Sequence, residues 1–199
     1  MTGLLALVIA YLIGAVPFGY LLVRFTTGKD VRSSGSGNIG ATNVLRTTGR
    51  AAGVATLLLD IAKGYFAVFL AAKMTDDDPL WMSLAALAVM AGHAFPVFLK
   101  FQGGKAVASF IGAFLYLTPL PMAAVLVLFV ITVAATTAIS AGSILMAGMF
   151  PLGVWLILHP PAPVLTAALT AGAFIVYRHK SNIERLRAGT ENRFSWKKK

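Results

Sequence analysis

Ser33-Ser34-Gly35-Ser36-Gly37-Asn38-Ile39-Gly40-Ala41-Thr42-Asn43 is an uncharged, glycine-rich polar stretch set between two apolar runs, near 3–24 and 52–72. Each flanking run is long enough to cross a bilayer, which takes about 20 residues. Glycines alternating with small polar residues let successive backbone N–H groups turn to one side and cup an anion such as phosphate. Arg32 precedes the cup and Arg46 follows it. A simple connector between helices needs small residues, but not Asn38, Asn43 and a basic residue one turn further on. The segment therefore reads as an anion site at a membrane surface, with Gly35, Ser36, Gly37, Asn38, Asn43 and Arg46 as its candidate residues.

Composition agrees with a membrane setting. Of 199 residues 58% are hydrophobic and 12% charged, with a mean hydropathy of +0.80. A soluble domain has no use for so much apolar surface. Between Lys105 and Arg178 there is no Asp, Glu, Lys or Arg. We expect an all-α, polytopic transmembrane helix bundle forming one integral membrane domain over 1–199. With no cysteine, a thiol nucleophile, a thioester intermediate and a disulfide framework are excluded. The net charge of +10 sits at the ends of apolar segments rather than along a soluble face, which argues against nucleic acid and for anionic lipids and substrates. No Lys or Arg precedes Arg24, and the first apolar run is too long for a cleaved signal, so it should remain as a helix.

The expected spans lie near 3–24, 52–72, 80–99, 106–118, 120–137, 142–158 and 164–178. Segment 106–118 is short, so five spans plus re-entrant segments is the alternative to seven. Sidedness follows Lys and Arg. With the N-terminus outside, Arg24, Lys29, Arg32, Arg46, Arg50, Lys100 and Lys105 face the cytoplasm. So does the C-terminal tail, with Arg178, Lys180, Arg185, Arg187, Arg193 and Lys197–Lys199. The expected location is the cell (inner) membrane, with the polar clusters on the cytoplasmic side.

Three further clusters fall on that side. Gly103-Gly104-Lys105 offers a flexible point charge beside two glycines but lacks the spacing of a Walker loop. His179 and Asn182 are three residues apart and share a helix face if the last helix continues past the membrane. Ser140 and Ser143 lie in a small polar turn between apolar runs. Asp60 and Lys63 sit within the second span, where each would cost about 2.5–3.5 kcal/mol if left alone; pairing with each other is the economical arrangement. His93 has no cluster of Cys, His or carboxylate spaced to help it hold an ion, so neither metal nor cofactor is expected.

These blocks together resemble the bacterial acyl-phosphate:glycerol-3-phosphate acyltransferases, the PlsY family. The likeness runs from Tyr11 to Glu191. It rests on Gly35-Ser36-Gly37-Asn38-Ile39-Gly40-Ala41-Thr42-Asn43-Val44 with Arg46, on Gly92-His93 to Phe98 with Gly103-Gly104-Lys105, and on Tyr177-Arg178-His179 with Asn182-Ile183; Asp60 and Lys63-Gly64 also match. Three positions depart from the family pattern: Gln102 replaces a lysine, Ala106 a glycine and Thr190 an arginine. The resemblance implies transfer of a fatty acyl group from acyl phosphate to the 1-hydroxyl of glycerol 3-phosphate. It also implies that Arg46, Lys105 and Arg178 supply charge, that Ser36, Asn38, Ser140 and Ser143 supply directed donors, and that His179 and Asn182 orient the hydroxyl. The expected partners are the two substrates and membrane lipids, with the chain acting as a monomer.

A transporter of an anionic or phosphorylated solute is the alternative function. Transporters place binding groups at the midplane and often show two matching halves, whereas the polar clusters here gather at one interface and no internal duplication is evident. A headgroup phosphotransferase would need a run of metal-binding aspartates in the membrane face. Asp60 alone does not provide it.

Overall fold

The computed structural model describes residues 1–194, so the Lys197–Lys199 charges counted above lie outside the described residues. Every regular element among the described residues is helical. The chain divides into two compact units, Met1–Leu117 and the remainder from Thr118 onward.

The first unit begins with α1 (Thr2–Ala15) and α2 (Phe18–Thr27). The run expected as one span is here two helices. Val16 adopts φ −63°, ψ 113°, because a following proline disfavours the helical conformation and Pro17 has no N–H to continue the ladder. Beyond the polar loop come α3 (Ala41–Thr47), α4 (Arg50–Met74), α5 (Pro79–Ala94) and α6 (Val107–Leu117). Asp78 starts α5 by accepting the Leu80 N–H at 2.8 Å, with Pro79 in the first turn.

Two helix pairs in this unit meet backbone to backbone. Where α1 crosses α5, a Cβ on Gly14 would strike the Val89 carbonyl and one on Gly92 the Tyr11 carbonyl. Where α4 crosses α6, Gly64 lies against the Ser109 carbonyl and Gly112 against that of Ile61. Reciprocal glycines of this kind replace the hydrophobic effect, which lipid does not supply, with close van der Waals contact. Asp60 and Lys63 are buried in the unit and paired, with Lys63 Nζ 2.8 Å from Asp60 Oδ1.

The second unit contains α7 (Pro119–Thr136), α8 (Ile139–Leu158), α9 (Ala162–Arg178) and α10 (Lys180–Arg187). α8 packs between α7 and α9, with Gly172 of α9 against the Ala147 carbonyl of α8. His159 in the left-handed region, followed by Pro160 and Pro161, ends α8 and reverses the chain. The last described residues strap onto the α7–α8 corner: Phe194 N–H donates to Thr137 O at 2.6 Å and Arg193 Nη1 to Thr136 O at 2.8 Å.

Among the described residues, five stretches are long and apolar enough to cross a membrane: Thr2–Thr27, Arg50–Met74, Pro79–Leu99, Pro119–Thr136 and Ile139–Leu158. Ala162–Arg178 has 17 residues, the lower end of the spanning range. α6 has 11; at about 1.5 Å per residue it covers roughly half of a hydrocarbon core. Leu4, Val8, Leu58, Val130 and Leu156 point outward and are exposed, as the lipid-facing side of such helices requires.

Candidate active site

The 33–43 loop is built around Asn43. Its side chain is buried at 2% exposure. Oδ1 accepts the Ser36 N–H at 2.9 Å, while Nδ2 donates to the carbonyls of Asn38 (2.8 Å), Ser34 (3.1 Å) and Val31 (3.3 Å). Asn43 is thus the loop's internal strut, its amide engaged at both ends by backbone. Asn38 closes the local turn by accepting the Gly40 N–H at 2.8 Å. Gly35 and Gly37 have φ of +61° and +69°, and a Cβ on Gly35 would also strike Asn43 Oδ1. Ser36, Gly37 and the Arg46 side chain, in the last turn of α3, are exposed. Arg32 is paired instead of facing the cup alone: its guanidinium forks onto Asp30 with Nη2–Oδ2 at 2.7 Å and lies 5.2 Å over the Tyr20 ring. The hydrogen bond from Arg32 holds the Asp30 carboxyl below its ordinary pKa.

Val31, Ile39 and Val44 press the loop onto an apolar cluster that includes Val23 of α2 and Leu99. Leu99 ends the short turn Val97–Leu99 that leads into the Gly103-Gly104-Lys105 segment, so both polar segments rest on one apolar floor. The Gly103 N–H donates to Ala94 O at 3.2 Å and the Gly104 N–H to His93 O at 3.1 Å. Both amides therefore fold the segment back on the end of α5. A Cβ on Gly103 would meet the His93 and Ala94 carbonyls, and one on Gly104 the His93 imidazole. These glycines are small because α5 is close. Lys105 is half-buried directly after them.

In the second unit, His179 sits at the joint between α9 and α10, 3% exposed. Its Nδ1 lies 2.7 Å from Ile175 O. A carbonyl only accepts, so Nδ1 carries the proton in this contact, which in a neutral ring leaves the lone pair on Nε2. Asn182 follows on the same side of α10; its Nδ2 donates to Glu191 Oε1 at 2.7 Å. Ser140 Oγ donates to the same oxygen at 3.1 Å, and Arg185 Nε to Oε2 at 2.7 Å. Burial works to raise the Glu191 pKa, but the hydrogen bonds from Asn182, Arg185 and Ser140 outweigh it and hold the carboxyl below its ordinary value. Glu191 thereby ties Asn182 and Ser140 together, a role the residue types alone did not disclose. A carboxylate in a strongly basic tail is the one signal that could have marked it. Ser143 Oγ donates back to Ile139 O at 3.0 Å. Arg178, half-buried in the last turn of α9, lines an open groove with Tyr177, Lys180, Ser181 and Glu184.

A family model for glycerol-3-phosphate acyltransferase matches residues 4–189. The chain belongs to the glycerol-3-phosphate acyltransferase family. Relatives bearing that name include one from Geobacter sulfurreducens, 45% identical over 98% of each chain, and one from Rhodopseudomonas palustris, 46% identical over 97% of this chain and 96% of its own. Among solved structures, PlsY, described as an integral membrane glycerol 3-phosphate acyltransferase, is similar in two forms. Its glycerol 3-phosphate form gives a TM-score of 0.93 at 34% identity, covering 98% of this chain and 96% of PlsY. Its lysophosphatidic acid form gives 0.89 at 33% identity, with the same coverage. Within this acyltransferase family pattern, the departure at Ala106 acquires a physical meaning. That residue has φ +63° and is fully buried, a conformation in which glycine carries no steric penalty and alanine does.

Proposed function

We propose that this protein transfers a fatty acyl group from acyl phosphate to the 1-hydroxyl of glycerol 3-phosphate, releasing lysophosphatidic acid and inorganic phosphate. The observation that carries this reading is the end-to-end likeness to PlsY, whose structures include a glycerol 3-phosphate and a lysophosphatidic acid form. The chemistry of the residues supports it. Two phosphate dianions about 5 Å apart repel by roughly 13 kcal/mol at an effective dielectric near 20, so neutralising and positioning them is the main catalytic task. Arg46, Lys105 and Arg178 are assigned that charge, and Ser36 with the loop amides of Gly35, Gly37 and Asn38 the directed donors.

The substrate hydroxyl oxygen attacks the acyl carbonyl carbon, and the bond from that carbon to the phosphate oxygen breaks. Acyl phosphate is a mixed anhydride with a good leaving group, so no acyl-enzyme is required, which suits a chain without cysteine. His179, whose Nδ1 is held by the Ile175 carbonyl, is assigned to orient the hydroxyl and, when its ring is neutral, to accept the proton, and Asn182, held by Glu191, to direct the same group. Asn43, Gly103 and Gly104 are assigned support of the substrate through their packing, and Ser140 and Ser143 are assigned as further directed donors. We place the reaction on the cytoplasmic side of the cell membrane, in a monomer whose acyl substrate enters from the lipid.

The test is phosphate release by purified protein given acyl phosphate and glycerol 3-phosphate, without added metal or acyl-CoA. Release that depends on glycerol 3-phosphate is the expected result. Turnover only with acyl-CoA or acyl-carrier protein would overturn the donor assignment.

A further inference from the structure

Asp60, Lys63, His93 and Ser109 form a buried polar knot, each 5% exposed or less. Lys63 Nζ is 2.8 Å from Asp60 Oδ1 and donates to Val16 O at 2.8 Å, the carbonyl at the break between α1 and α2. His93 Nδ1 lies 3.6 Å from the same Asp60 oxygen and 3.3 Å from Ser109 Oγ. An aspartate and a lysine neutralise each other without help, so the imidazole calls for its own explanation. Its opposite edge supplies one. A side chain on Gly104 would fall on His93 Nε2, and the His93 carbonyl receives the Gly104 N–H. Ring and backbone of a single residue thus hold the position immediately before Lys105, while α4 and α6 hold the ring.

We propose that His93 is a positioning residue for Lys105. Clamped by Asp60 and Ser109 along one edge, the imidazole fixes Gly104 with the other and sets how the next residue presents its charge to a substrate phosphate. The knot then joins three places in one unit: the α1–α2 break, the core of α4 and the lysine loop. This inference rests on the acyltransferase reading for the role of Lys105, but not for the mechanical link between His93 and Gly104.

Two measurements on full-length protein in lipid nanodiscs test it. The first is a double-mutant cycle on kcat/KM with His93→Ala and Lys105→Ala. His93→Ala alone should lower kcat/KM at least tenfold, yet cost less than threefold once Lys105 is already alanine. An equal cost in both backgrounds would show that His93 acts by general stability and would overturn the proposal. The second is amide hydrogen exchange. In His93→Ala, exchange at Gly103 and Gly104 should quicken at least tenfold while α1 and α4 stay as protected as before. Unchanged exchange at the two glycines would overturn the proposal even where turnover falls. If the alanine variant fails to insert, His93→Asn, which keeps a polar group toward Asp60 but lacks the Nε2 edge, gives the same two readouts. Should the unmodified protein not turn over acyl phosphate at all, the exchange arm still decides the positioning role, and it is the reaction assignment that fails.

Discussion

In the 33–43 loop the left-handed positions fall on glycines, Gly35 and Gly37, whereas in the 100–106 segment they fall on Lys100, Phe101 and Ala106 and not on Gly103 or Gly104. The first loop uses glycine for backbone conformation and then locks the shape with one buried amide, Asn43. The second uses glycine for space, because its backbone lies against the end of α5 and the His93 ring. Similar composition therefore serves two mechanical designs. One loop is held from inside by a side chain, the other from below by a neighbouring helix.

The contrast makes predictions that separate the two designs. Asn43→Ala should do the most damage, since it leaves the Ser36 N–H and several loop carbonyls without their partner. At about 1–3 kcal/mol for each buried group left unsatisfied, a loss of about 3 kcal/mol is expected, read as a lowered thermal midpoint together with loss of activity. Retention of full stability would break the strut assignment. Gly104→Ala comes next, at about 1–3 kcal/mol for overpacking a closed site. Its signature is a fall in turnover with the 33–43 loop still protected from hydrogen exchange. Equal loosening of both loops would erase the distinction between them. The smallest effects come chiefly from φ. Gly37→Ala should cost about 1 kcal/mol, and Ala106→Gly should stabilise by about 0.5–1 kcal/mol, by removing the left-handed strain of a side chain. Thermal midpoints of the two variants, measured side by side, should move in opposite directions.

Much of the helical frame was legible because hydropathy and charge placement are collective signals that survive local detail. The 3–24 span is found within Thr2–Thr27, but as two helices that meet at Val16–Pro17, where a proline in an apolar run stops a helix that composition alone would continue. The pairing of Asp60 with Lys63 was readable from the cost of leaving either alone. The engagement of Arg32 by Asp30 was not anticipated, although the two are only two residues apart. For Gly103 and Gly104, sequence offers no way to tell a glycine that frees φ from one that makes room, since the difference lies in what packs against it. The same holds for Ala106, whose left-handed backbone is imposed by its surroundings, and for Glu191, whose three hydrogen-bond donors come from residues 6 to 51 positions away.

Both loop designs matter to function only if they present Arg46 and Lys105 to substrate phosphate. The direct measurement is steady-state turnover of acyl phosphate and glycerol 3-phosphate by Arg46→Ala and Lys105→Ala, with helix content and thermal midpoint recorded on the same samples. We expect each variant to insert and fold like the parent and to lose at least a hundredfold in kcat/KM. Parental rates in both well-folded variants would contradict the assignment of these two side chains to the reacting phosphates.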